Sequence, residues 1–166
     1  MKTAICPGSY DPVTLGHIDI ITRTSNVFDK VVVGVVNNPL RKDRTLFSAE
    51  ERRAFIEEAT TSLANVEVQI FSTLLVEFAR ENGAHAIVKG MRAISDFEYE
   101  FEMNQLNRKM APDIESVYMM AAPEFSFLSS SGVKELAMFG GDLSGLVTPT
   151  VATALQEALG PRRTEV

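Results

Sequence analysis

Two short clusters in this chain have the residue types and spacing to hold phosphate. The first, Pro7-Gly8-Ser9-Tyr10-Asp11-Pro12-Val13-Thr14-Leu15-Gly16-His17, joins a short apolar run to a segment with apolar residues at helical spacing. Gly8 and Gly16 let a ligand approach the backbone closely. The expected helix start offers unpaired N–H groups and a positive dipole end, and His17 in its first turn adds a side-chain donor to the same oxygens. The second cluster, Phe125-Ser126-Phe127-Leu128-Ser129-Ser130-Ser131-Gly132-Val133-Lys134, sets three successive hydroxyls at another helix start, with a lysine in the next turn. Three serines exceed what N-capping requires, so they read as phosphate donors. A catalytic serine is not expected, because His17 and His85 are the only histidines and no G-x-S-x-G elbow occurs. Neither G-x-G-x-x-G nor G-x-x-x-x-G-K-[ST] is present.

Both clusters sit where an apolar strand pattern gives way to a helical one. Short apolar or alternating runs predict strands over 3–6, 30–36, 66–70, 85–88 and 117–121. Helical spacing predicts helices over 18–28, 48–63, 73–82, 96–110, 130–139 and 149–159. Ser48-Ala49-Glu50-Glu51 fits a capping box and Gly83 a helix stop. The alternation predicts an α/β fold: a Rossmann-like, doubly wound five-stranded parallel sheet with helices on both faces. Ligands of such sheets bind beyond the carboxyl ends of the strands, which is where both clusters fall. One domain is expected over 1–159, followed by a flexible tail over 160–166.

Bulk composition narrows the function. The chain has 166 residues, 45% of them hydrophobic, and a formal charge of −6. That charge argues against nucleic acid or a membrane surface as partner, since both are polyanions. A single cysteine, Cys6, allows no internal disulfide, and with two histidines it cannot build a His/Cys zinc site, so no protein-held metal is expected. The apolar run at the N-terminus is too short for a signal peptide, and no stretch reaches membrane-spanning length. A cytoplasmic location is the expectation.

The two clusters together resemble the T-x-G-H and S-S-S-x-x-x-K signature of the T/H-x-G-H nucleotidyltransferases. Lys89-Gly90-Met91-Arg92 followed by Asp96-Phe97-Glu98-Tyr99-Glu100 narrows the resemblance to the bacterial phosphopantetheine adenylyltransferase family, over the chain to about Leu159. The resemblance implies reversible adenylyl transfer from ATP to 4′-phosphopantetheine, giving dephospho-coenzyme A and pyrophosphate in the penultimate step of coenzyme A synthesis. It also implies Mg2+ accompanying ATP, and a homohexamer. The chemistry asks little of the protein. A phosphate monoester is largely dianionic near neutrality, so the acceptor needs no general base, and catalysis comes from positioning and charge stabilisation.

By resemblance, His17 contacts the α-phosphate. Ser9 and Tyr10 border ATP, and Ser9 also faces the acceptor. Lys89 grips the acceptor phosphate. Gly90, Met91 and Arg92 line the ATP side, with Arg92 reaching the phosphates, and Glu100 lies near the nucleotide. Phe125, Ser126, Phe127, Leu128, Ser129, Ser130 and Ser131 wrap adenine and triphosphate, and Leu75 meets the pantetheine arm. After Asn38-Pro39 the family has a lysine bridging both substrates. Here Leu40-Arg41-Lys42-Asp43-Arg44-Thr45 is about two residues longer, so counting points to Arg41 and chemistry to Lys42, which is preferred. The plainer readings are kept for other residues: His85 structural, Cys6 buried, Met103, Met110, Met119 and Met120 in core or subunit contacts. Competing functions are the same fold with another acceptor such as nicotinamide mononucleotide, or with CTP as donor, and a non-catalytic nucleotide sensor.

Overall fold

The valine run of 30–36 carries apolar side chains on both faces, and such a strand must be covered on both sides. In the computed structural model of the chain, which describes residues 1–38 and 44–161, it lies inside a sheet. The strands are β1 (Thr3–Gly8), β2 (Lys30–Val36), β3 (Val66–Phe71), β4 (Ala86–Met91) and β5 (Glu115–Met120). Their order is β3-β2-β1-β4-β5 and every pairing is parallel. The helices are α1 (Leu15–Ser25), α2 (Ala49–Ala59), α3 (Leu75–Glu81), α4 (Ile94–Met110), α5 (Ser130–Met138) and α6 (Pro149–Leu159), with one 3-10 turn at Pro123–Phe125. No helix among the described residues is long and apolar enough to cross a membrane.

Alternation along the strands divides the core in two. Ala4, Cys6, Val31, Val33, Val35 and Val88 pack on one face with Ile21 of α1, Ile56 of α2, Val133 of α5 and Leu155 of α6. Ile5, Val32 and Ile87 point the other way, against Val76 and Phe78 of α3 and Ile114 beyond α4. On this second face Phe71 and Phe78 stack at 4.3 Å between centroids. They lie over Gly34, where a Cβ would come within 2.7 Å of Phe78 Cε1. The sheet is the doubly wound one expected from the sequence, and its order reverses between β1 and β4. The carboxyl ends of those two strands therefore frame the crevice.

Some boundaries shift, and the shifts concern the site. β4 continues to Met91 instead of stopping at Val88, because β5 completes the ladder at Lys89↔Tyr118, Gly90↔Met119 and Met91↔Met120. Lys89, Gly90 and Met91 thus stand on a strand and not in a loop. Gly90 is needed there for packing, since a Cβ would fall 2.9 Å from Ile20 Cγ1. α1 starts at Leu15, three residues earlier than its apolar spacing suggests, because Thr14 caps it. Of the tail expected over 160–166, residues 162–166 lie outside the described residues.

Candidate active site

The T-x-G-H motif is a helix-starting device as well as a ligand site. Thr14 is the N-cap of α1 and His17 its third residue, and they form a reciprocal capping box. Thr14 Oγ1 accepts from the His17 N–H at 3.4 Å, and His17 Nδ1 accepts from the Thr14 N–H at 3.0 Å. An Nδ1 that accepts a backbone N–H carries no proton, so the ring's proton is on Nε2. The Leu15 N–H goes to the Leu146 carbonyl at 2.9 Å. The Gly16 N–H is the first-turn amide left without a partner among the described residues. With no acidic residue in the first turn, the positive end of α1 is not neutralised, whereas α2 begins with Glu50 and Glu51.

Tyr10 braces this histidine. It occupies the left-handed region (φ 47°), which turns its ring inward. The ring is 6% exposed, packs edge-on against His17 at 5.1 Å, and its hydroxyl donates to the Cys6 carbonyl at 2.9 Å. Tyr10, expected to border ATP, is thus buried beneath the histidine. Gly8 makes room for it, since a Cβ would meet Tyr10 Cε2 at 2.9 Å.

The second cluster is stitched to the first. A Cβ on Gly16 would lie 3.3 Å from Phe125 Cβ and 3.7 Å from Leu128 Cδ2, so these loops touch where Gly16 has no side chain. Ser130 Oγ donates to the Pro12 carbonyl at 2.8 Å, and Lys134 Nζ stands 3.4 Å from the fully buried Asp11 carboxylate. Ser129 Oγ caps α5 by accepting from the Gly132 N–H at 3.0 Å. The Ser130 hydroxyl donates to the Pro12 carbonyl, and Lys134, expected near phosphate, is paired with Asp11. What α5 presents to an anion is its N-terminus, again without an acidic residue in the first turn, together with the exposed Ser131. Phe125 and Leu128 are packed inward, while Phe127 is 72% exposed beside Ser126.

On β4, Lys89 Nζ and Glu100 Oε2 of α4 approach to 2.8 Å, both largely covered. That oxygen makes no directional hydrogen bond, so the contact is an ion pair between two groups to which the family resemblance assigns separate roles. Tyr118 donates to the Glu100 carbonyl at 3.2 Å, and burial, followed by the Glu100 charge, raises its pKa above the ordinary value. Arg92 bridges elements: its Nη1 donates to the Leu128 carbonyl at 2.9 Å, and Nε meets Asp96 at 3.3 Å. Met91 and Glu100 line a cavity of about 150 Å3 with Phe97, Phe101, Asn104 and Tyr118. A larger cavity, of about 260 Å3, lies between the end of α2 and the start of β3, away from this edge. Leu75 opens α3 after β3, half-buried against the second core. Arg41 and Lys42 lie outside the described residues.

Sequence reading missed Asp11 and Arg52, both fully buried. Asp11 accepts from the Leu46 and Phe47 N–H groups, each at 3.0 Å. Arg52 donates to the carbonyls of Ser9, Val36, Asn37, Phe47 and Ser48 at 2.6 to 3.3 Å. Burial lowers its pKa from the ordinary guanidinium value, against the opposing effect of the Asp11 and Glu50 charges.

Known proteins resemble this chain over most of its length. The cytidylyltransferase-like family matches residues 5–136. A phosphopantetheine adenylyltransferase of Caldanaerobacter subterraneus subsp. tengcongensis is 52% identical over 157 residues, covering 95% of this chain and 97% of the relative. One from Rubrobacter xylanophilus is 54% identical over 157 residues, covering 95% and 94%. A solved Vibrio parahaemolyticus structure, described as a candidate nicotinate-nucleotide adenylyltransferase, shares the fold with a TM-score of 0.69 at 21% identity, covering 95% of this chain and 93% of that one. The chain belongs to the cytidylyltransferase-like nucleotidyltransferases and, within them, to the phosphopantetheine adenylyltransferase family.

Proposed function

We propose that this chain transfers the adenylyl group of ATP to 4′-phosphopantetheine, releasing pyrophosphate and forming dephospho-coenzyme A. The observation that carries the mechanism is the Thr14–His17 capping box, which fixes the Nε2–H of His17 as a donor at the positive end of α1. A phosphate oxygen of the acceptor attacks the α-phosphorus in line, and the bond to the bridging oxygen of pyrophosphate breaks, without a covalent enzyme intermediate. Charge grows on the non-bridging α-oxygens as this happens. The His17 donor, the Gly16 amide and the helix end stabilise that charge, and no side chain needs to remove a proton.

Lys89 binds the acceptor phosphate by exchanging its Glu100 partner for a dianion. Ser9, in the loop after β1 that leads to His17, faces the acceptor. Arg92, Gly90 and Met91, with the 125–131 loop, take the nucleotide; the bridging cation is Lys42 or Arg41. Leu75 meets the pantetheine arm. A Mg2+ ion carried by the nucleotide would supply charge neutralisation at the pyrophosphate oxygens. Among the described residues no group of three or more His, Cys, Asp and Glu is gathered to hold a metal.

A cytoplasmic homohexamer completes the proposal. Phe97, Phe101, Leu106 and Met110 of α4 and Met120 of β5 are exposed in the single chain, an apolar surface of the kind that subunit contacts cover. Light scattering tests the assembly. The test of function is pyrophosphate release from MgATP with and without 4′-phosphopantetheine. Release that requires the acceptor, with dephospho-coenzyme A appearing in equal amount, is expected. ATP binding without turnover would instead favour the sensor.

A further inference from the structure

We propose that Arg52 is a positioning residue for adenylyl transfer, a buried cation that sets the phosphate loop in register with both ends of the β2–α2 connection. Its Nη1 holds the Ser9 carbonyl at 2.6 Å and the Val36 carbonyl at 2.9 Å, and its Nη2 holds the Asn37 carbonyl at 3.1 Å. Its Nε holds the carbonyls of Phe47 and Ser48, at 3.1 and 3.3 Å. Three segments far apart in sequence thus meet on one guanidinium: the residue after β1, the end of β2 with its next residue, and the start of α2. Asp11 completes the clamp from the other side by accepting the Leu46 and Phe47 N–H groups. The Phe47 residue is gripped at both its N–H and its carbonyl, by opposite charges that each sit at 0% exposure.

A purely architectural need for this packing could be met by apolar side chains, and burying a charge among carbonyls is costly unless its donors are matched. Arg52 gives instead a fixed fork of donors, a geometry that an ammonium with three rotatable donors cannot copy across five carbonyls. The residue it locks most tightly is Ser9, whose hydroxyl side faces the acceptor in the reaction proposed above, so the inference rests on that reading. Ser9 belongs to the loop that ends at His17. A displacement of about 1 Å between reacting groups lowers turnover by up to about 100-fold.

The experiment compares wild type with Arg52→Lys and Asp11→Asn in acceptor-dependent pyrophosphate release, with ATP affinity by calorimetry and thermal melting on the same samples. The expected result for Arg52→Lys is a folded protein with ATP affinity within about threefold of wild type and kcat reduced about 10- to 100-fold. Asp11→Asn should move kcat in the same sense by less, since it keeps one acceptor. A lysine variant that turns over normally, or that loses activity only in proportion to its unfolded fraction, overturns the proposal. So does an Asp11→Asn variant that keeps full kcat while melting earlier. Absence of acceptor-dependent turnover in wild type would strike the functional reading itself, and is separate from either variant's behaviour.

Discussion

Replacing His17 by alanine removes two things that the structure locates in one ring. The first is the Nδ1 acceptor of the Thr14 N–H. Thr14 is 2% exposed, so the orphaned donor costs about 1–3 kcal/mol. For a chain of this size that lowers Tm by roughly 2–4 °C per kcal/mol. The second is the Nε2 donor to the α-phosphate, and losing one such donor lowers kcat by about 100- to 1000-fold, or roughly 3–4 kcal/mol of transition-state stabilisation. The two effects separate with His17→Glu. Glutamate at the third helical position would copy the Ser48–Glu51 box that already starts α2, where Glu51 accepts from the Ser48 N–H at 2.8 Å. Melting temperature should therefore recover while turnover stays lost. The assay is initial-rate pyrophosphate release at saturating substrates, alongside calorimetric ATP affinity and a thermal melt. His17→Ala with kcat within about tenfold of wild type would refute the donor role, and recovered activity in His17→Glu would assign the whole effect to helix capping.

Gly34→Ala should destabilise by about 1–3 kcal/mol in urea, because the new methyl meets the Phe71–Phe78 stack, while KM for both substrates stays unchanged. Gly16→Ala presses on Phe125 at the junction of the two phosphate clusters. It should raise KM for ATP roughly tenfold, about 1.4 kcal/mol, with little change in Tm; a large fall in Tm at constant KM would contradict the placement. Burial pushes the Cys6 thiol from 9.0 to about 12, against a weaker opposing hydrogen bond from Thr24. The folded state therefore holds its proton where the unfolded chain releases it. Stability from this group is complete below pH 9 and falls by up to about 1.4 kcal/mol per pH unit from there towards pH 12. Urea unfolding at a series of alkaline pH values checks this, and Cys6→Ala should flatten that part of the slope.

Features that depend on neighbours in sequence were readable before the structure. The valines of 30–36, the Ser48–Glu51 box, the stop at Gly83 and the final helix over 149–159 all follow from local pattern, and all were found. The T-x-G-H motif was readable as a helix start for the same reason. What escaped notice depends on partners far along the chain. Nothing near Arg52 announces that its acceptors are at 9, 36, 37, 47 and 48, and in α2 it reads as a surface charge beside Arg53. The pairing of Lys134 with Asp11, 123 residues away, is equally invisible in the local sequence. The inward turn of the Tyr10 ring rests on its positive φ, which no local sequence pattern announces. Lys89 and Gly90 interrupt the apolar run of β4, so the end of that strand was set by β5 and not by its own composition.

The contacts that join the two phosphate clusters also bear on how a nucleotide would be received. Ser130 on Pro12, Arg92 on Leu128, Lys134 on Asp11 and the Gly16–Phe125 junction tie the two clusters together through protein groups alone. A nucleotide docking there therefore meets backbone cross-linked by the protein itself, and such cross-linking lowers the chain entropy that binding must remove. ATP association should then behave as the filling of a rigid mould: a small heat-capacity change, set by the area of the purine alone, and a single kinetic phase whose rate rises linearly with concentration.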